Sequence, residues 1–428
     1  MKFKIFFLFI LLFTLGNSWA GEATLDTGDT AWMLISTALV LFMIPGLALF
    51  YGGMVRSKNI LGTLMHSFIA LGVMTVHWVV IGYSLAFGSG NAFIGDFSHV
   101  FLTGIGPDSI TGTIPTYVWI AFQGTFACIT PALIAGAFAE RIKFGPYVLF
   151  ILLWGTFVYD PVCHWVWSEN GWLFQDGAID FAGGTVVHII SGVAGLIACI
   201  FLGKRIGYPD RSMLPHNLVY TVLGGGILWF GWFGFNAGSA LGANSAAGLA
   251  LINTFVAPAA GLCGWLLAER FHLGKASTLG AVSGLVAGLV AITPAAGSVQ
   301  PGSALILGFI TSIICYTMVA SKHKLGYDDS LDAFGIHGVG GTIGALGCGL
   351  FASVGYNSIF FPHSVADGTS GTSQFLIQLK SVLATAAYSV VVTFILIYVI
   401  NKTMGFKMTS EEENQGLDIS LHGEKAYN

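Results

Sequence analysis

Charge is scarce in this sequence. Asp, Glu, Lys and Arg together supply 9% of its 428 residues, against roughly 25% in soluble globular proteins. So few charges cannot cover a water-facing surface, which excludes a cytosolic enzyme, a nucleic-acid binder and a disordered chain. Paired cysteines are missing too. Cys128, Cys163, Cys199, Cys263, Cys315 and Cys348 stand singly, with no CxxC and no Cys/His ladder, and read as small buried apolar residues. There is no His-x3-His and no carboxylate pair at ligand spacing, so neither a metal nor another cofactor is expected.

What is abundant is apolar. Hydrophobic residues make up 55% of the chain and the mean hydropathy is +0.78, the balance of an integral membrane protein built from many helices. Glycine, 58 residues, is about twice its usual ~7%, which suits close helix packing in lipid.

The N-terminus has the form of a secretory leader. Lys2 and Lys4 precede a short apolar run, Ile5 to Phe13, and Ser18-Trp19-Ala20 fits a small-x-small cleavage rule. The run is too short to span comfortably, so cleavage after residue 20 is preferred over a retained helix. Apolar stretches of spanning length follow near 30–52, 62–87, 115–139, 144–167, 181–203, 217–239, 246–268, 277–296, 301–321, 333–355 and 374–401. The expected fold class is therefore an all-α polytopic membrane protein with eleven transmembrane helices, N-terminus outside after leader cleavage and C-terminus inside.

The basic residues test this count. Arg56, Lys58, Arg141, Lys143, Lys204, Arg205, Arg211, Arg270, Lys275, Lys322, Lys324, Lys402, Lys407 and Lys425 all fall on inside segments, as the positive-inside rule requires. Two more of the 17 Lys and Arg lie in the leader, and the last, Lys380, lies in the eleventh span. One miscounted span would invert every later loop and destroy the partition. The outside is acidic instead: Glu22, Asp26, Asp29, Asp96, Asp108, Glu169, Asp176 and Asp367, with Asp160 and Asp180 near span ends. Either this is what remains when basic residues are barred from that side, or it is a weak cation-attracting field.

Spans 1–5 and 6–10 make two halves of five helices, which an odd number sets in opposite orientation, as in inverted-repeat transporters. Span 5 carries Asp180 and His188, then Gly192 and Gly195; span 10 carries Asp332 and His337, then Gly341 and Gly344. Both share His-x3-Gly-x2-Gly with an Asp upstream. An intramembrane histidine is costly unless it faces a cavity or a partner. A single one reads as a satisfied core residue or a metal ligand; two at matching repeat positions point to a shared polar path at mid-membrane. His66 and His77, unmatched, are assigned to the core or the lipid interface.

Aromatic residues crowd the outer span ends. Trp167 closes span 4 and Ser239 closes span 6. Trp232, Phe235 and Ser239 share one helix face; Phe122 and Phe126 share a face of span 3, with Gln123 beside them. Topology alone orders these from outside inward as Trp167 and Ser239, the Phe cluster, then the histidines. They form either an aromatic belt with core packing or a cation–π vestibule above a phenylalanine constriction. The polar tail, 403–428, is either solvated and unstructured or regulatory.

Several stretches carry a resemblance. They are Ala-Leu-Phe-Tyr-Gly-Gly (48–53), Ala-Phe-Gln-Gly-Thr-Phe-Ala-Cys-Ile-Thr (121–130), Gly-Ala-Phe-Ala-Glu-Arg (136–141) and His-Trp-Val-Trp (164–167). Further on come Asp-Phe-Ala-Gly-Gly-Thr-Val-Val-His (180–188), Gly-Trp-Phe-Gly-Phe-Asn-Ala-Gly-Ser (231–239), Asp-Ala-Phe-Gly-Ile-His-Gly-Val-Gly-Gly (332–341) and the closing His-Gly-Glu-Lys-Ala-Tyr. In these the chain resembles the Amt/Mep/Rh ammonium transporter family, in its bacterial AmtB type, over essentially all of the mature sequence. Ile190-Ser191, Pro131 and Lys380 depart from the pattern without touching the path residues.

The resemblance implies a multi-pass inner (plasma) membrane transporter of ammonium or ammonia, with methylammonium as an analogue, and not an enzyme. It implies a homotrimer with one pore per protomer. Trp167, Phe126 and Ser239, supported by Asp180, would form the outer ammonium site. Phe126 and Phe235, with Phe122, would form the gate, and His188 and His337 would line the pore. It further implies a tail that docks on its own trimer and a PII-type signal protein that blocks the pore from the cytoplasmic face. The domains expected are a leader (1–20), a membrane domain (21–402) and a regulatory tail (403–428). Rival readings are an intramembrane enzyme, which lacks a nucleophile and a third ligand; an ammonium sensor; and a channel for another small neutral molecule.

Overall fold

The computed structural model describes residues 24–352 and 371–427. The expected leader lies outside these residues, as do Glu22, His363 and Asp367. Among the described residues eleven helices are long and apolar enough to cross a membrane: Thr27–Met54, Ser57–Phe87, Thr116–Phe138, Phe144–Gln175, Gly184–Leu202, Leu218–Gly238, Ser245–Leu273, Thr278–Ala295, Pro301–Ser321, Phe334–Phe351 and Ser373–Met404. They are numbered spans 1 to 11. A small hairpin, Ile110–Thr111 with Ile114–Pro115, precedes span 3.

Local chemistry sets the ends. The side chains of Asp26, Asn217, Asn244 and Ser277 cap spans 1, 6, 7 and 8 by accepting a backbone N–H of the first turn. Pro301 opens span 9, where its missing N–H costs nothing. Span 7 runs five residues beyond the expected end, so Arg270 and His272 ride on helix rather than loop. It stops where Gly274 turns left-handed at φ 76°. Span 4 reaches Trp167, breaks at Ser168–Gly171 and resumes as the short turn Trp172–Gln175.

The two halves echo each other in particulars. Spans 3 and 8, at the same place in each half, are the most buried. Spans 5 and 10 both open with a widened π turn, Gly184–Ile189 and Phe334–Gly338, and each π turn holds its histidine. One detail departs from the sequence expectation. The counterpart of Asp180 is Asp329, not Asp332. Asp180 and Asp329 each lie eight residues before their histidine, and each accepts backbone N–H groups at the mouth of the π turn. Asp329 takes those of Ala333 (3.1 Å) and Phe334 (2.8 Å). Asp332 sits too close to the turn to reach behind it and pairs instead with Lys322.

Spans 5 and 10 cross where their glycines meet. A Cβ on Gly192 would lie 2.1 Å from the nitrogen of Gly338, and one on Gly341 would lie 2.9 Å from the oxygen of Gly184. Both glycines sit four residues after a histidine, so the crossing brings the two imidazoles together.

A network of ion pairs forms at one end of the bundle. Arg205 bridges Glu140 (2.9 Å) and Asp328 (2.8 Å), Arg56 reaches Glu140 (3.0 Å), and Arg141 donates to Ser330 (2.7 Å). Burial opposes ionisation of Glu140, but Arg205 and Arg56 outweigh it and hold the carboxyl below its ordinary range. The tail lies across this end. Its helix Ser410–Gln415 starts with a capping box of Thr409 and Glu412. Lys58 donates to the carbonyl of Glu413 (2.8 Å), the carboxylate of Glu413 accepts from Ile206 N–H (2.7 Å), and Asp418 accepts from Gly62 N–H (2.9 Å). At the opposite end Lys380 pairs with Asp176 and lies over the Trp172 ring at 5.0 Å, joining span 11 to the loop after span 4.

Gly192→Ala should lower the midpoint of thermal unfolding in detergent, with a cost of about 1–3 kcal/mol for overpacking at a rigid backbone crossing. An unchanged midpoint would show that spans 5 and 10 do not touch there.

Candidate permeation path

The path begins in an outer cavity of about 110 Å³ lined by Trp119, Gln123, Phe126, Trp167, Asp180 and Ser239, among others. Trp167 is held by its indole N–H, which donates to the backbone oxygen of Asp180 (2.8 Å). Ser239 donates its hydroxyl proton to the carbonyl of Phe235 (2.8 Å), so its oxygen faces the cavity as an acceptor. The side-chain oxygen of Gln123 is buried and has no protein partner. A buried acceptor without a donor is costly, and here it borders a space where a small donor fits.

Asp180 plays a different part from an ammonium ligand. Its carboxylate accepts four backbone N–H groups, from Gly183 (3.0 Å), Gly184 (2.5 Å), Thr185 (2.8 Å) and Val186 (3.0 Å). Burial pushes its pKa up while those four donors oppose the rise. The lone pairs are spent on starting span 5. Asp180 therefore serves the cavity by fixing the π turn below it and the Trp167 indole beside it.

Below the cavity two rings close the way. Phe126 and Phe235 stack with centroids 4.3 Å apart at 27°, and Trp167 meets Phe126 edge-on at 5.6 Å. Phe126 borders the outer cavity and Phe235 borders the next one inward. Phe122, expected in the same constriction, borders neither. It is fully buried, packs edge-on against Phe126 at 5.0 Å, and lies beneath Gly238. It backs the closing pair rather than joining it.

The inner cavity is only about 10 Å³ and is lined by Val187, His188, Trp232, Phe235, Val286 and His337, among others. That is near the least space a single water needs. His188 and His337 face each other here as sequence symmetry predicts. Their Nδ1 atoms are 3.2 Å apart, and their rings lie 5.2 Å apart at 19°. One Nδ1 donates and the other accepts. Nε2 of His188 has no protein partner, and the ring stacks on Trp232 at 5.4 Å. Trp232 is anchored by its own N–H to the Thr293 hydroxyl (2.9 Å).

Among the described residues no group of three or more His, Cys, Asp or Glu side chains could hold a metal. His66 packs between Phe144 and Tyr147, and His77 meets Thr156 and Asp160, both away from this path. The sequence reading gave Trp119 no role and noted Gln123 only as a neighbour. Helical spacing carried the signal, since Trp119, Gln123 and Phe126 at i, i+4 and i+7 share one face.

Eleven membrane-length helices among the described residues, enclosing an aromatic-lined cavity and a smaller one bordered by paired imidazoles, define a polytopic helical membrane protein. More particularly, the chain belongs to the Ammonium Transporter Family, whose profile matches residues 31–427. It is 51% identical over 408 residues to an ammonium transporter of Bacillus subtilis, covering 94% of this chain and 99% of that protein. It is 51% identical over 421 residues to one of Aquifex aeolicus, with 96% of each chain covered. Among solved structures it is similar to Candida albicans Mep2, with TM-score 0.85, 36% identity, and 91% of this chain and 88% of the other covered.

Asp180→Ala strands four backbone donors, each costing about 1–3 kcal/mol if left unpaired. It should lower thermal stability in detergent more than Trp167→Ala does. Equal stability of Asp180→Ala and the parent protein would refute the capping role.

Proposed function

We propose that this protein carries ammonium across the inner (plasma) membrane, taking up the cation outside and passing it inward as ammonia with net proton transfer. Ammonium enters the outer cavity, where the Trp167 and Phe126 rings offer cation–π attraction of ~0.5–2 kcal/mol each. Ser239 and Gln123 oxygens accept its N–H bonds. Ahead lies the Phe126–Phe235 stack and a cavity with room for about one small molecule. A charge at the bilayer centre costs ~2.5–3.5 kcal/mol even on the most lenient scale. The solute therefore gives its proton to a water of the outer cavity and continues neutral, and the proton crosses separately by way of water and the histidine pair. The imidazoles of His188 and His337 present ring nitrogens that hydrogen-bond ammonia and replace the water it has lost.

The observation that carries this reading is the pair of cavities on either side of one phenylalanine stack, with the unpaired Gln123 oxygen above it and coupled imidazoles below. Potassium has no proton to lose and cannot stay hydrated past the rings, so discrimination follows from chemistry as well as size.

The same reading extends to the whole chain. Residues 1–20 are a cleaved leader, 21–402 the membrane domain and 403–428 a cytoplasmic regulatory tail, with the N-terminus outside. The protein assembles as a homotrimer in the lipid bilayer, and a PII-type signal protein docks on the cytoplasmic face. Supporting the tail's role are its contacts with Lys58, Asn59, Gly62 and Ile206, which tie it to the first turns of span 2 and the loop after span 5.

Two variants in proteoliposomes test the path. Trp167→Leu should raise the half-saturation for methylammonium several-fold with a smaller change in maximal flux. Unaltered uptake at low substrate would remove Trp167 from the site. His188→Glu places an anion in the lumen and should admit potassium. Retained ammonium-over-potassium selectivity in that variant would contradict the lumen assignment.

A further inference from the structure

His164 stands one turn before Trp167 on span 4 and has no place in the path. It is fully buried, and both of its ring nitrogens meet backbone carbonyl oxygens. Nδ1 lies 2.9 Å from the oxygen of Ala86 and Nε2 lies 2.6 Å from the oxygen of Asn91. A ring N–H donates to a carbonyl oxygen, and the one side chain stands between carbonyls of two separate backbone segments. Ala86 belongs to the last turn of span 2, Tyr83–Phe87, where the final carbonyls lack helical donors and take partners from outside the helix.

The two carbonyls belong to one structure. The loop 88–96 folds back on the end of span 4 through the Trp165 indole to Phe93 O (2.7 Å), the Asn170 amide to Ser89 O (2.9 Å) and Trp172 N–H to Ala92 O (3.1 Å). Tyr83, Phe87 and Ser89 share with Trp119 and Trp167 a wide funnel of about 590 Å³ outside the outer cavity. His164 is the buried pin of this attachment, and the helix turn it pins ends in Trp167.

We infer that His164 is a positioning residue for the outer ammonium site, its ring clamped between the end of span 2 and the loop 88–96 so that the last turn of span 4 presents Trp167 to the cavity. The inference rests on the proposed role of Trp167.

Two measurements on the full-length protein in lipid test it. Nitrogen-15 NMR of histidine-labelled protein, with the His164 signals identified by their loss in His164→Gln, should show a hydrogen-bonded ring N–H protected from solvent exchange. A freely exchanging ring overturns the inference, whatever any variant does. Methylammonium uptake by His164→Gln and Trp167→Leu is then compared. Both should raise half-saturation, His164→Gln by about threefold or more with maximal flux within about twofold, the pattern of weakened recruitment. A shift in Trp167→Leu alone overturns the positioning role and leaves the outer site standing. No shift in either overturns both.

Discussion

A hydrogen bond between two buried imidazoles holds the centre of this molecule together. His188 and His337 meet at 3.2 Å because spans 5 and 10 cross closely enough for Gly192 to abut the backbone of Gly338. The crossing in turn needs both spans to begin partway through the bundle, each with a π turn whose free N–H groups are taken by a carboxylate. Asp180 does this on one side and Asp329 on the other. Widened turns of this kind concentrate at functional sites because they re-aim side chains that a regular helix would bury in its own ladder.

Around that centre the energetic problem is where to put charge. The membrane-facing surface is apolar, and most formal charge is moved to the ends. There it is neutralised locally, as in the network of Arg56, Glu140, Arg205, Asp328 and Arg141. A buried network of this kind adds little net stability but penalises loss of any member, so it fixes the loops under the bundle in one arrangement. The tail is bound to the same loops. In the proposed mechanism the solute obeys the same constraint as the protein, leaving its charge outside the apolar interior.

Much of this was legible in the sequence, for definite reasons. Span count followed from hydropathy and from the basic residues, whose partition fails for any other number. The histidine pair followed from two matching motifs in halves of opposite orientation. Three features escaped. The partner of Asp180 was misaligned, because Asp332 lies nearer the motif, while the eight-residue offset to Asp329 becomes meaningful only once a π turn needs capping. Phe122 was placed with Phe126 because residues four apart share a helix face; which of the two meets the lumen depends on the rotation of span 3 against Gly238. The double engagement of His164 depends on a loop whose path no periodicity describes.

The central claim is that the solute passes the Phe126–Phe235 stack without its charge, and one comparison of wild-type protein tests it directly. Equal gradients of ammonium and potassium, cations of nearly equal size and charge, are imposed in turn across proteoliposomes while solute flux and current are recorded together. The account predicts robust ammonium-dependent flux with accompanying charge movement, and no potassium flux above protein-free liposomes. Potassium movement comparable to that of ammonium would mean that the intact cation passes the stack, and would contradict the account.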